Sequence, residues 1–102
     1  MSKNYSGSDL SREGKSQLSK WIREIKKVLI ERGCTNLDFH YGFYCLSGFF
    51  TASNGKIYYI ASRDTRLGKL ELYYRTAKDY RDYKGGFNNK LNYISDLKNC
   101  NF

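Results

Sequence analysis

His40 is the only histidine in the chain, and Cys34, Cys45 and Cys100 lie far apart with no Cys-x-x-Cys pair. That spacing leaves out a zinc site of the usual kind, whose ligands come in close pairs. No apolar run approaches the roughly 20 residues that a bilayer-spanning helix needs. The segment from Met1 to Gly7 holds no apolar stretch of the signal-peptide kind. There is no G-x-x-x-x-G-K-[ST] phosphate loop, no long repeat and no low-complexity tract. Acidic residues are scarce, 10 against 18 Lys and Arg, for a formal charge of +8. Proline is absent, and Lys, Tyr, Asn, Phe and Ile together make up 41 residues against three Ala. Those residues have AT-rich codons, which suits a bacterium, phage or mobile element. The expectation is a cytoplasmic protein with three reduced thiols.

The chain has 102 residues, of which 40% are hydrophobic and 17% aromatic. That is enough for one packed domain. Residues 1–8 read as a flexible N-terminus and 9–102 as a single domain. Positive charge is concentrated in two stretches. Residues 1–33 and 63–90 each hold eight basic and four acidic residues, a net +4 apiece. The segments between and after them are neutral.

The first stretch predicts a helix from Asp9 to Arg32. Leu18, Trp21, Ile22, Ile25, Val28 and Leu29 fall in one arc about 120° wide. Trp21 is the expected anchor of this stripe. Ser6 or Ser8 suits the N-cap, and Gly33 the left-handed residue past the end. Lys20, Arg23 and Lys27, interleaved with Glu24 and Glu31, read as a solvated face.

An aromatic, strand-like stretch follows. Leu37, Phe39, Tyr41, Phe43 and Cys45 alternate with Asp38, His40, Gly42 and Tyr44, and Ser47-Gly48 suggests a bulge or bend. Asn54-Gly55 predicts a two-residue type I′ hairpin. That turn sets Phe49 opposite Ile60 and Phe50 opposite Tyr59. A third strand, Lys69 to Arg75, then pairs Tyr59 with Tyr73 and Ile60 with Leu72. Phe49, Tyr58, Ile60, Leu70, Leu72 and Tyr74 would form the core face. Phe50, Ile57, Tyr59, Glu71, Tyr73 and Arg75 would form the other. Thr76-Ala77-Lys78-Asp79 reads as a capping box opening a short helix that stops at Gly85-Gly86. Asn88 or Asn89 would cap a last helix bearing Leu91, Ile94 and Leu97. The fold class expected is α+β in two layers: an N-terminal helix on a three- or four-stranded antiparallel sheet, with a short C-terminal helix.

No catalytic constellation emerges. Cys45 and His40 fall on opposite strand faces. Asp38 and His40 share a face without an evident nucleophile beside them. Asp79 and Asp82, among Lys78, Arg81 and Lys84, read as surface charge pairing. The chain is therefore read as non-enzymatic, with no metal and no cofactor.

Two features point to binding. Arg63, Arg66, Arg75, Lys78, Arg81 and Lys84 are candidate phosphate contacts, and Gly85 and Gly86 a candidate backbone anion nest. Tyr59 and Tyr73 are candidate stacking platforms for nucleobases; the competing role for their face is to be covered by the last helix. The leading expectation is a small basic binding protein for nucleic acid or a nucleotide. One alternative is a phage or mobile-element accessory protein that docks on a host protein, such as a CRISPR-type defence effector, through Tyr and Arg. Another is a cyclic-nucleotide sponge.

Overall fold

A computed structural model describes residues 12–42, 44–63, 65, 70–83, 89–100 and 102. The expected N-terminal segment 1–8 and its caps lie outside the described residues, as do Phe43, Arg66, Lys84, Gly85 and Gly86.

The apolar stripe forms helix α1, Arg12–Glu31. Leu18, Ile25 and Leu29 are fully buried, with Ile22 and Val28 beside them. Trp21 is only half-buried, because it lies at the rim where α1 meets Leu91 and Ile94. The anchor of the helix is thus the aliphatic line rather than the indole. Gly33 ends α1 at φ +82°, with Cys34 N–H donating to Leu29 O at 2.9 Å and Gly33 N–H to Ile30 O at 3.0 Å. This is a Schellman cap, and the positive φ is why glycine suits it.

Five antiparallel strands follow in sequence order: β1 Thr35–Gly42, β2 Cys45–Thr51, β3 Ile57–Ser62, β4 Leu72–Ala77 and β5 Asn89–Leu91. A 3-10 helix, Ile94–Asn99, comes next. The fold is α+β, with α1 packed on one face of the sheet. The chain builds more strand than expected and less helix. No helix described here is long and apolar enough to cross a membrane.

Several expectations are corrected. Thr76 and Ala77 stay in β4, opposite Tyr58 and Ile57, because ladder pairing outweighs the local capping-box pattern. Asn89–Leu91 extends the sheet instead of opening a helix. β1 stops at Gly42, which pairs with Cys45. Tyr44 takes a left-handed φ of 68°, and its carbonyl is tethered by Thr65 N and Oγ1 at 2.9 and 2.8 Å. Gly48 makes no bulge. A side chain there would run into the Phe39 ring, which lies across it. The irregularity sits in β1 between Thr35 and Asp38, where Asn36 has φ 54°.

The Asn54-Gly55 hairpin also differs. Ala52 N–H bonds Lys56 O at 2.8 Å and Gly55 N–H bonds Ala52 O at 2.9 Å. Gly55 has φ +86°, while Asn54 keeps a negative φ. The loop has three residues, with the left-handed one at Gly55. Register therefore moves by one: Phe49 faces Tyr59 and Phe50 faces Tyr58. Phe50 joins the α1-side core and Phe49 goes to the far face. Between β3 and β4 the shift is two, because the ladder ends at Ser62 and Leu72. Tyr59 now faces Arg75, Ile60 faces Tyr74 and Ala61 faces Tyr73, but an even shift keeps every β3 and β4 side chain on its expected face.

The C-terminal segment closes the core. Phe102 is 3% exposed and packs on Phe50, Tyr58 and Tyr74. Ser53 Oγ and Asn54 N–H donate to its carbonyl. Arg32 donates to Leu97 O at 2.8 Å, Lys98 O at 3.0 Å and Cys100 O at 2.8 Å. One guanidinium thus satisfies three carbonyls at the end of the 3-10 helix. Arg32→Ala should cost about 2 kcal/mol, the range for charged hydrogen bonds at a partly exposed site. A chemical-denaturation curve checks this, and Arg32→Lys should recover only part, since an ammonium cannot span all three acceptors.

All three cysteines are free thiols. Burial pushes the Cys34 and Cys100 thiols above their ordinary value. Burial, with the Cys100 thiol as hydrogen-bond partner, pushes the Tyr74 hydroxyl up to about 12 from 10.0. Folded Tyr74 keeps its proton where the unfolded chain loses it. Its contribution to stability is therefore full below pH 10.0 and is lost as the pH rises towards about 12. Thermal melts on either side of pH 10.0 should show a smaller alkaline loss in Tyr74→Phe than in the wild type.

Candidate functional site

The sheet face away from α1 carries the residues of interest. Strand pairing lays them in rows. One row runs Asp38, Phe49, Tyr59 and Arg75; the next runs His40, Ser47, Ala61, Tyr73 and Lys90. The two rows have different fates.

The first row is covered over Phe49, Tyr59 and Arg75, though not by the C-terminal segment, while Asp38 at its β1 end is exposed. Leu91, Ile94 and Leu97 pack on the α1 side. The cover is the turn after β4, residues 78–83. Tyr80 lies 5.6 Å from the Phe49 ring and its hydroxyl is 2.7 Å from Thr51 Oγ1. Tyr83 stands edge-on to Phe49 and Tyr59, at 5.2 and 5.7 Å. Tyr59 itself lies 4.7 Å from Phe49. Phe49 is 1% exposed as a result, the centre of a second, smaller aromatic cluster.

Arg75 holds this turn in place. It is 7% exposed. Its guanidinium lies 5.0 Å over the Tyr59 ring, donates to Asp82 O at 2.6 Å, and pairs with Asp82 Oδ2 at 3.4 Å. Asp82 Oδ2 also accepts from Lys78 N–H at 3.0 Å, and Asp79 Oδ1 from Arg81 N–H at 2.8 Å. The two aspartates thus build the turn. Lys78 and Arg81 are exposed on it. Of the expected phosphate contacts, Arg75 is committed to the fold and Lys78 and Arg81 face solvent. Arg66, Lys84, Gly85 and Gly86 fall outside the described residues.

The second row is open. Tyr73 is half-buried, and Arg63, an exposed residue, sets its guanidinium 5.9 Å over the ring. Tyr73 OH donates to Glu71 at 3.1 Å, and Glu71 pairs with Lys90 at 3.6 Å. Ala61, Ser62, Arg63 and Tyr73 line an open hollow of about 380 Å³. Tyr59 and Tyr73, expected to stack side by side, are separated: Tyr59 belongs to the covered cluster and Tyr73 to the open hollow.

Two contributors went unnoticed in the sequence. Ser47 Oγ lies 3.3 Å from His40 Nε2, a pairing visible only once the β1–β2 register is known. Lys90 lies opposite Tyr73 because residues 89–91 form a strand, and its ammonium pairs with Glu71. Among the described residues no group of His, Cys, Asp and Glu could hold a metal ion. Comparison with protein-family models, with curated proteins and with solved structures finds no match, so the site is argued from its own geometry.

Asp82→Ala should strip Arg75 of its carboxylate, destabilising the chain by about 2 kcal/mol. It should also release the turn. Proton NMR would detect this as loss of the ring-current shifts that Tyr80 and Tyr83 impose on Phe49, while Phe50 resonances stay in place.

Proposed function

We propose that the chain is a small, non-enzymatic binding domain for a phosphate-bearing aromatic ligand, a nucleotide or a single strand of nucleic acid, on the open part of the far sheet face. The observation that carries this reading is the Arg63–Tyr73 pair beside Ala61. A tyrosine ring on a sheet offers a stacking surface for a planar base. A guanidinium within reach offers a forked donor to phosphate. The small Ala61 side chain leaves depth for the base, and about 380 Å³ suits a single nucleotide. Lys90 supplies a second cation across the strand from Tyr73. The surplus of +8 favours approach of an anion from any direction.

The alternative is an accessory protein that docks on a host protein. Tyr83 at 57% and Tyr93 at 71% exposure favour it, since tyrosine is enriched where binding energy concentrates. The cyclic-nucleotide sponge rests on Gly85 and Gly86 and has no further support.

Fluorescent single-stranded and duplex oligonucleotides, titrated at two salt concentrations, test the reading, with mononucleotides measured by calorimetry. Arg63→Ala should weaken binding and lower the salt slope by about one. Tyr73→Ala should weaken it roughly ten- to hundred-fold with the slope unchanged. Lys78→Ala and Arg81→Ala should act weakly and through salt alone. If the wild type binds none of these ligands at tens of micromolar (on the order of −6 kcal/mol), the reading fails and docking on a protein becomes the better account.

A further inference from the structure

β1 is the long edge of the sheet. It pairs with β2 on one side, and among the described residues no strand pairs with it on the other. The opposite edge, β5, has three residues and carries Lys90. Soluble sheets guard long edges with lysine, proline or a bulge. β1 contains no Lys, Arg or Pro, and its irregularity ends before the regular run Asp38–Gly42.

The edge has an ordered pattern. Asp38 and His40 are exposed on the far face. Leu37, Phe39 and Tyr41 lie on the α1 face, packed against the core yet only partly buried. Between α1 and this edge is an open hollow of about 410 Å³, lined by Ser19, Ile22, Arg23, Phe39, His40 and Tyr41.

We propose that β1 pairs antiparallel with β1 of a second copy of this chain, about a two-fold axis through Phe39. Asp38 then faces the second copy's His40, and His40 its Asp38. Leu37 faces the second copy's Tyr41, and the two Phe39 side chains meet beside the hollow. An isologous contact must be self-complementary, and this one is, in charge on one face and in apolar character on the other. Opposed side chains across a ladder stand about 5 Å apart at Cβ, closer than the roughly 6.6 Å between Asp38 and His40 along their own strand. His40 Nε2 is engaged with Ser47 Oγ, so Nδ1 is the nitrogen that donates to the carboxylate.

Charge also selects the register. A two-residue slip one way sets Asp38 against Asp38, two like charges, and the other way sets His40 against His40, which leaves both Asp38 carboxylates without their imidazole partner. A one-residue slip sets the apolar set against the charged one. The ligand reading plays no part in this argument, and its failure would leave the pairing intact.

Sedimentation of the full chain over a concentration series, reaching roughly several hundred micromolar, should give a monomer–dimer equilibrium. Asp38→Lys and His40→Glu should each weaken the dimer about ten-fold. An equimolar mixture of the two variants should recover wild-type association, because the mixed pair sets the new lysine against the new glutamate and leaves Asp38 facing His40. A wild type that stays monomeric throughout overturns the proposal, as does a dimer that both variants keep or a mixture no stronger than its parts. If either variant misfolds, isotope-filtered NMR of mixed-label wild type decides. Intermolecular contacts between Phe39 rings support the pairing, and their absence overturns it.

Discussion

The hydrogen bond from Ala52 N–H to Lys56 O decides which of two adjacent phenylalanines faces the helix. With three residues in the loop, Phe50 turns towards α1 and Phe49 away. Each then needs a separate cover. Phe50 receives Phe39, Tyr58 and Phe102. Phe49 on the face away from α1 would expose a large apolar ring, and burying such a side chain gains about 1.5–3 kcal/mol. Tyr80 and Tyr83 supply that cover. Arg75 and Asp82 follow from it, because the turn carrying the tyrosines must be pinned to the sheet. A shift of one residue at one hairpin therefore sets the far face of the whole sheet.

The same hairpin ties to the other end of the chain. Its donors Ser53 Oγ and Asn54 N–H meet the Phe102 carbonyl, while the Phe102 ring fills the core between Phe50, Tyr58 and Tyr74. Arg32, just past the end of α1, holds the intervening segment by its carbonyls. Helix, hairpin and C-terminal segment thus share one junction. The loop form is fixed as much by these distant partners as by Asn54-Gly55.

That dependence explains what the sequence made legible. The α1 stripe, the Gly33 cap, the strand character of 37–51 and 57–62, and the alternation of Leu37, Phe39 and Tyr41 with Asp38 and His40 are set by local periodicity and are readable in the sequence, though which of the two alternating sets faces α1 is not. Phe49 and Phe50 are chemically identical neighbours, so periodicity has nothing to choose between them; only loop length does. Thr76–Asp79 matches a helix start locally, but the ladder with Ile57 and Tyr58 is a long-range gain that a local motif does not contain. In the candidate site, Tyr73 and Arg63 could be named as residue types. Their pairing, and the separation of Tyr73 from Tyr59, required the two-residue shift between β3 and β4. Lys90 and Ser47 were missed for the same reason.

A surplus of +8 invites every cation to be counted as a contact for an anion. Arg32 and Arg75 are instead spent on carbonyls, a carboxylate and an aromatic ring within the fold. Asp79 and Asp82, which seemed to neutralise the basic stretch, shape its turn. Burial removes Arg75 and half-exposes Tyr73, so affinity on this face would depend on a few groups and not on the total. Arg63 lies over the Tyr73 ring and Lys90 opposite it across the strand, and Glu71 engages both Lys90 and the Tyr73 hydroxyl. Under the proposed reading, a phosphate would compete with that carboxylate for Lys90 but not for Arg63. On that reading, recognition on the open row would turn on the Arg63 guanidinium aligned with the Tyr73 ring, with the wider positive field serving encounter more than grip.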